Sequence, residues 1–207
     1  MAKSSNLEDL RQELADDRSL PLRGANLVFG EGDPSAKVLF VGEAPGFHED
    51  QQQRPFVGRS GKLLDKMLED IGWKRENVYI TNVVKRRPPE NRDPLPEEIA
   101  AYTPYLERQI SIIDPKIIVT LGRFAMSHIS PQGKISRDQG KVFWWKERIF
   151  MPMYHPAAAL RSTSVLEDLK KSFQKLPKII KKYDELKKEH LNDVGAPEEE
   201  KNQEALF

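Results

Sequence analysis

The sequence predicts an α/β fold, in which a mainly parallel sheet is covered by helices on both faces. Four apolar runs rich in β-branched residues predict strands at 38–41, 78–84, 117–121 and 149–153, because strands buried on both faces lose the alternation of apolar and polar residues. The fourth run contains Pro152, which favours an edge strand or a strand end. Helical segments separate these runs, a pattern typical of parallel βαβ units. We therefore expect a central sheet of four strands.

Helical segments lie between and after the strands. Apolar residues at helical spacing predict helices over 61–71, 96–113, 122–129 and 163–190. The second of these begins with Pro-Glu-Glu, a favourable first turn, and the last is expected to break or kink at Pro177. Ligands of such folds bind beyond the carboxyl ends of the strands, so the loops there are the candidate functional segments.

The composition indicates one folded domain with an acidic tail. Of 207 residues, 38% are hydrophobic and 31% charged, which is enough for one apolar core. We expect a domain over 1–190 and a disordered tail over 191–207, which holds five acidic residues and one lysine. The tail thus has a net charge of −4, and because the whole chain has +1, the remaining residues have +5. A net charge of +5 suits a polyanionic partner without requiring one.

Several classes of protein are excluded by what the sequence lacks. The absence of cysteine excludes disulfides, thiolate catalysis and Cys-ligated metals. No apolar run approaches the roughly 20 residues needed to cross a bilayer, and the first residues lack an apolar signal core, so we expect a cytoplasmic protein without a membrane partner. The glycine-rich dinucleotide and phosphate-loop motifs are missing, which disfavours a small-molecule α/β enzyme.

Four polar or aromatic residues lie in the segments at and after the strand ends. Glu43 ends the first strand, Phe56 lies in a glycine-bounded loop, Asn82 interrupts the second strand, and His155 follows the fourth. Structural interpretations stay open, since Phe56 could plug its loop into the core and Asn82 could bond to the backbone. Convergence at one end of a sheet favours a binding site instead. Phe56 could stack on a planar ring, and the Asn82 side chain, which both donates and accepts hydrogen bonds, matches one edge of a pyrimidine.

Together these segments resemble the family 4 uracil-DNA glycosylases. The matching motifs, in the family's order, are Gly-Glu-Ala-Pro-Gly at 42–46, Arg-Pro-Phe-Val-Gly at 54–58, Tyr-Ile-Thr-Asn-Val-Val-Lys at 79–85, Arg-Pro-Pro-Glu-Asn-Arg at 87–92 and His-Pro-Ala-Ala-Ala-Leu-Arg at 155–161. The similarity covers residues 7–176. It implies a three-layer α/β/α sandwich and a hydrolase that excises uracil from DNA by base flipping, which begins base excision repair.

The resemblance also implies roles for individual residues. Phe56 would stack on the flipped uracil, Asn82 would read its edge and reject cytosine, and His155 would donate to O2, where negative charge develops. Glu43 would help to place the attacking water, although Ala44 stands where family 1 enzymes have Asp, so the water-activating carboxylate stays open. The other implied residues support the pocket (Gly42, Glu49, Asn91) or contact DNA (Arg59, Ser60, Lys85, and Leu160 and Arg161 as a wedge).

The sequence departs from the family at the positions of its usual [4Fe–4S] cluster. The four cysteine positions hold Asp17, Leu20, Arg86 and Tyr102, and none of these replaces a thiolate. We therefore predict no cluster. As a substitute we hypothesise a salt bridge between Asp17 and Arg86, with Leu20 and Tyr102 packed beside it.

The expected partners are uracil-containing DNA and a sliding clamp. The final Gln-Glu-Ala-Leu-Phe resembles the Gln-x-x-Leu-Phe peptide by which repair proteins bind clamps, through Gln203, Leu206 and Phe207. We expect a monomer. The alternative function is a non-catalytic scaffold that binds uracil or single-stranded DNA, and the intact set of Glu43, Asn82 and His155 favours the enzyme.

Overall fold

Six strands form one mixed sheet in the computed structural model, which describes residues 2–194. The strands are β1 (Glu31–Gly32), β2 (Val38–Gly42), β3 (Tyr79–Asn82), β4 (Ile117–Leu121), β5 (Phe143–Trp145) and β6 (Arg148–Met153). Their order is β1-β3-β2-β4-β6-β5. The four central strands are parallel, and the short β1 and β5 pair antiparallel at the two edges.

Helices of very different length connect and cover the strands. They are α1 (Ala2–Asp16), α2 (Phe47–Gln52), α3 (Arg59–Asp70), α4 (Pro96–Ile113), α5 (Arg123–Ile129), α6 (Ile135–Asp138), α7 (Pro156–Ala159) and α8 (Thr163–Val194). The bounds predicted for α4 are confirmed, and α3, α5 and α8 lie where the apolar spacing placed helices. The first helix, α1, was not predicted.

The parallel core of four strands is confirmed, but the predicted number of strands is wrong. The two extra strands are only two and three residues long and contain no β-branched run. The expectation of an edge at the fourth strand is also wrong, since β6 pairs with β4 on one side and β5 on the other. Pro152 is the penultimate residue of β6, beyond the residues paired with β5, so the alternative of a strand end is confirmed.

The sheet separates two hydrophobic clusters, one on each face. Along β2, Val38 and Phe40 belong to the cluster under α3 and α8, whereas Leu39 and Val41 belong to the cluster under α1 and α4. This alternation follows from the period of two in a strand. Phe40 stacks on Phe173 of α8, with ring centroids 5.7 Å apart. The architecture is therefore the three-layer α/β/α arrangement that the resemblance implied.

The last helix runs unbroken through Pro177 to Val194, four residues beyond the predicted end of the domain. A proline inside a helix costs about 3 kcal/mol, but each fully buried large apolar side chain contributes about 1.5–3 kcal/mol. Six such residues of α8 pack on the core: Leu169, Phe173, Leu176, Ile179, Tyr183 and Leu186. Packing therefore outweighs the helix-breaking tendency, and the predicted break is wrong.

Residues 191–194 of the predicted disordered tail are helical and belong to α8, so that part of the prediction is wrong. Residues 195–207, with Gln203, Leu206 and Phe207, lie outside the described residues. Among the helices that the structure does describe, none combines the length and the apolar character required to cross a membrane.

Candidate active site

The amide of Asn82 and the ring of Phe56 meet above Gly42. Gly42 and Asn82 are the last residues of two parallel strands and lie in register. A Cβ atom on Gly42 would stand 2.4 Å from Asn82 Oδ1 and 2.6 Å from two ring carbons of Phe56. The Phe56 ring in turn stacks on the His155 ring, with centroids 5.6 Å apart. Three predicted site residues from three separate segments are thus brought together at one edge of the sheet.

The backbone that carries Phe56 is held in an uncommon conformation. Phe56 has φ +51°, in the left-handed region that non-glycine residues seldom occupy, and its side chain is only 5% exposed. The buried carboxylate of Glu49 accepts hydrogen bonds from the backbone N–H groups of Val57 (3.0 Å) and Gly58 (2.8 Å). Gly61 of α3 packs so closely that a Cβ atom there would lie 1.9 Å from the Phe56 carbonyl oxygen. Glu49 therefore supports the pocket by fixing this loop.

Sequence analysis missed a second support of the same loop. Arg75 donates to the carbonyl oxygen of Pro55 at 2.5 Å. Its guanidinium also forms ion pairs with Glu31 (2.7 Å) and Asp65 (2.6 Å). No motif contains Arg75, and its partners come from a different strand and a different helix, so no local pattern could have identified it.

The carboxamide of Asn82 has no structural hydrogen bond. The residue is 2% exposed, yet within residues 2–194 its side chain bonds to no other residue, and only its backbone carbonyl is engaged, by Lys85. The structural interpretation of this Asn therefore fails. Its Oδ1 and Nδ2 atoms are not among the fully buried polar atoms that lack a partner, so they remain accessible to a ligand that supplies both a donor and an acceptor.

The predicted contact between Lys85 and DNA is wrong. Lys85 is fully buried, and its Nζ donates to Thr81 Oγ1 at 2.7 Å, to the Asn82 carbonyl oxygen at 2.6 Å and to Gln109 Oε1. Burial lowers the pKa of Lys85 well below its ordinary value. The side chain braces the end of β3 from behind instead of meeting a phosphate.

The geometry of His155 fixes its tautomer. Its Nδ1 accepts a hydrogen bond from the Ala157 N–H at 3.1 Å, which leaves the proton on Nε2. Burial lowers the pKa of His155 to about 4, although the Glu49 carboxylate acts in the opposite direction. Gly122, with φ +90°, follows β4 and allows this approach, because a Cβ atom there would stand 3.1 Å from the His155 Cβ. His155 is thus a neutral hydrogen-bond donor at pH 7.

Glu43 follows Gly42 at the same strand end and is partly buried. Burial, with a further contribution from the nearby charge of Asp93, raises the pKa of Glu43 to about 7, and the charge of Arg123 opposes this. Asp93 and Arg123 form an ion pair of 2.6 Å. Sequence analysis missed Asp93 and Arg123, because both are distant in sequence from Glu43 and belong to no motif.

The remaining predicted contacts lie on the surface. The candidate DNA-contacting residues other than Lys85 are all exposed or partly exposed, at the start of α3 and just after α7: Arg59, Ser60, Leu160 and Arg161. Asn91 is also exposed, with φ +56°, and its Oδ1 accepts a hydrogen bond from Arg87 Nε at 2.7 Å.

The hypothesised salt bridge between Asp17 and Arg86 is wrong. Asp17 instead accepts a hydrogen bond from the Tyr105 hydroxyl at 2.7 Å, and Arg86 donates to the Ala25 carbonyl oxygen at 2.5 Å. Each group thus bonds to a neutral partner that is distant in sequence, although the buried Nε of Arg86 has no hydrogen-bond partner among the described residues.

Leu20 and Tyr102, which were expected to pack beside that salt bridge, are buried without it. Leu20 and Tyr102 are buried in the same hydrophobic cluster, and the Tyr102 hydroxyl donates to the Pro21 carbonyl oxygen at 2.7 Å. A [4Fe–4S] cluster needs thiolates, so an apolar chain, a phenol with a backbone partner, a cation and a carboxylate do not fit it. Residues 2–194 also contain no group of three or more His, Asp or Glu side chains that could hold a metal ion.

Known proteins similar to this chain identify its family. A family model described as the uracil DNA glycosylase superfamily matches residues 29–181. The type-4 uracil-DNA glycosylase of Sulfurisphaera tokodaii is 48% identical over an alignment of 183 residues, and the match covers 83% of each chain. The enzyme of the same name from Archaeoglobus fulgidus is 44% identical over 83% of this chain and 92% of its own. The enzyme of the same name from Thermotoga maritima is 44% identical over 74% of this chain and 84% of its own. The chain therefore belongs to the uracil-DNA glycosylase superfamily.

Proposed function

We propose that this protein hydrolyses the N-glycosidic bond of uracil in DNA and so begins base excision repair. The observation that carries the proposal is the unpaired carboxamide of Asn82, set beside the ring of Phe56 and the neutral imidazole of His155. This group of side chains suits a planar base that has left the helix. Flipping the base costs a few kcal/mol, which the contacts in the pocket offset.

Asn82 selects uracil by the pattern of its hydrogen bonds. Uracil presents an N3–H donor beside a carbonyl acceptor, which match the Oδ1 and Nδ2 atoms of one fixed carboxamide. Cytosine presents the reverse pattern along that edge. With the amide in this orientation, cytosine would leave polar groups in the site unpaired.

His155 stabilises the leaving base. When the bond between C1′ and N1 breaks, its electron pair passes to the uracil ring and negative charge develops on O2. The Nε2–H of the neutral imidazole is the donor that the Ala157 contact leaves available. One such preorganised donor is commonly worth about 2.7–4 kcal/mol in the transition state.

Glu43 serves the sugar side of the reaction. The ionised carboxylate offsets the positive charge that develops on the sugar and orients a water molecule. The water oxygen bonds to C1′, and its proton passes to Glu43. Because the pKa of Glu43 is about 7, the carboxylate is a base matched to neutral pH. Leu160 and Arg161, exposed beyond α7, would fill and hold the duplex that the base has left.

A cleavage assay tests the proposal. Purified iron-free protein is incubated with uracil-containing oligonucleotides, single- and double-stranded, together with Asn82→Ala, His155→Ala and the exposed control Lys181→Ala. We expect cleavage by the wild type and the control, and losses of at least about 100-fold in the two site variants. Binding of these oligonucleotides without any cleavage would favour the scaffold alternative.

Narrower proposals accompany this function. We propose that the enzyme works as a cytoplasmic monomer without an iron–sulfur cluster, because the four side chains at those positions do not fit one. We also propose that Gln203, Leu206 and Phe207 bind a sliding clamp. Light scattering should give a mass near 23.8 kDa, iron analysis should find no stoichiometric iron, and deletion of residues 203–207 should abolish clamp pull-down.

A further inference from the structure

Phe47 presents an exposed aromatic ring beside the candidate site. Its side chain is 46% exposed, and it is the only aromatic among the exposed large hydrophobic residues in the described part of the chain. A single exposed apolar residue is ordinary. Phe47 differs because its helix is anchored by hydrogen bonds, two side chains contact its ring, and it lies beside segments of the candidate site.

The helix that begins at Phe47 is fastened on two sides. Glu49 binds the backbone of the Phe56 loop. Asp50 Oδ1 accepts from the Asn26 N–H at 2.7 Å, and the Asn26 side chain donates to the Asp50 carbonyl oxygen at 3.1 Å. The ring is therefore presented from a fixed support, which lowers the entropic cost of stacking a ligand on it.

Two neighbours orient the ring. The Arg87 guanidinium lies over it, 5.1 Å from the centroid, and is itself held by Asn91. The His48 ring meets it edge-on, at 5.5 Å and 73°. We refer to Phe47, His48 and Arg87 as the aromatic platform.

The aromatic platform lies between two segments that build the pocket. His48 Cδ2 lies 3.6 Å from where a Cβ atom on Gly58 would stand, at the start of α3 and two residues after Phe56. Arg87 belongs to the loop that follows β3, the strand that ends in Asn82. The aromatic platform therefore lies next to the segments that carry Phe56 and Asn82.

We propose that the aromatic platform stacks the base adjacent to the flipped uracil in the same DNA strand, with Arg87 facing a nearby phosphate. The inference rests on the proposed function. Aromatic side chains stack on any base, because every base has a π-face, and an adjacent guanidinium adds attraction to the phosphate backbone. The platform thus binds the strand independently of its sequence, whereas Asn82 distinguishes uracil from cytosine.

The test removes either partner of the stack. The substrates are a single-stranded oligonucleotide with one uracil and two copies in which the nucleotide on the 5′ or the 3′ side of the uracil is a tetrahydrofuran spacer without a base. The proteins are wild type, Phe47→Ala, Phe47→Trp and the control Leu191→Ala, an equally exposed apolar residue on α8. The value of kcat/KM is measured for each combination of protein and substrate.

A spacer at one of the two positions, the one whose base would stack on the platform, should lower kcat/KM of the wild type roughly tenfold. Phe47→Ala should lose a similar factor on the intact strand and nothing more on that spacer, whereas Phe47→Trp and the control should behave like the wild type. Full activity of Phe47→Ala, or unchanged sensitivity to the spacer, would overturn the proposal. If the wild type cleaves no uracil substrate, the proposed function fails, and fluorescence anisotropy with the same oligonucleotides then tests the platform through the same pattern of affinities.

Discussion

Replacement of Glu43 by Gln should stabilise the protein while it removes activity. The carboxyl group has a pKa raised from 4.5 to about 7, chiefly because burial penalises the charged form. Each tenfold change in proton affinity corresponds to about 1.4 kcal/mol. Because the group is only partly buried and solvent weakens the effect, the ionised carboxylate costs the native state about 2–3 kcal/mol at pH 8, and the neutral amide of Gln avoids that cost.

The sign of the pH dependence follows from the raised pKa. A raised carboxyl pKa means that the native state binds the proton more tightly than the unfolded chain does. The stabilisation from this group is therefore complete below pH 4.5 and is lost as the pH rises through 7. The free energy of unfolding of the variant should equal that of the wild type at pH 4. It should exceed the wild-type value by a growing margin between pH 4.5 and 7, and by about 2–3 kcal/mol at pH 8.

Urea titrations at pH 4, 6 and 8 measure this margin, with Glu167→Gln on the exposed face of α8 as the matched control. The control should show no such pattern. A margin that is the same at every pH, or absent at pH 8, would refute the assigned pKa and its cause. In the wild type, excision should be about tenfold slower at pH 6 than above pH 8, since only the ionised form of a group with a pKa near 7 serves as base.

Three further predictions concern the pocket. Gly42→Ala should lower excision on the order of 100-fold, because the new methyl group displaces both Asn82 and Phe56; a normal kcat/KM would contradict this. Lys85→Met should lower the free energy of unfolding by about 2 kcal/mol, since buried acceptors lose their donor, and a loss below about 0.5 kcal/mol in urea titration would contradict the network. The imidazole of His155 should titrate near pH 4 by ¹⁵N NMR and carry its proton on Nε2 above that pH; a midpoint near 6.5 would show that it is not buried as described.

The site was predictable as far as chain topology determines it. Parallel strands end at a common edge, so residues that follow β2, β3 and β6 must lie near one another. This is why Asn82 and His155, far apart in sequence, were expected to converge. The left-handed backbone of Phe56 was not predictable, because the carboxylate of Glu49 and the guanidinium of Arg75 impose it from outside the segment.

Burial and pairing of charged groups were the least predictable features. Lys85 reads as a surface cation in the Lys-Arg-Arg run, yet Gln109 from α4 and Thr81 from β3 enclose it. Asp17 and Arg86 are opposite in charge, yet each finds a neutral partner. Charge in the sequence identifies what can pair, and only packing decides which partner is within reach.

The first helix shows that a signal can be present and still be overlooked. Leu7, Leu10 and Leu14 have helical spacing, and all three are buried against α4, but the surrounding polar residues obscured the pattern. The two edge strands had no recognisable sequence pattern. Strands of two or three residues form only because a neighbouring strand provides free backbone hydrogen-bonding groups.

The amino-acid sequence alone determined the parallel sheet, the long helices and the polar and aromatic side chains that meet at one edge of the sheet, because periodicity and strand ends are local properties of the chain. The tertiary structure decided the protonation states of Glu43 and His155, the burial of Lys85 and the exposed ring of Phe47. These depend on desolvation and on neighbours from distant segments, and free energies of that kind exist only once the chain has folded.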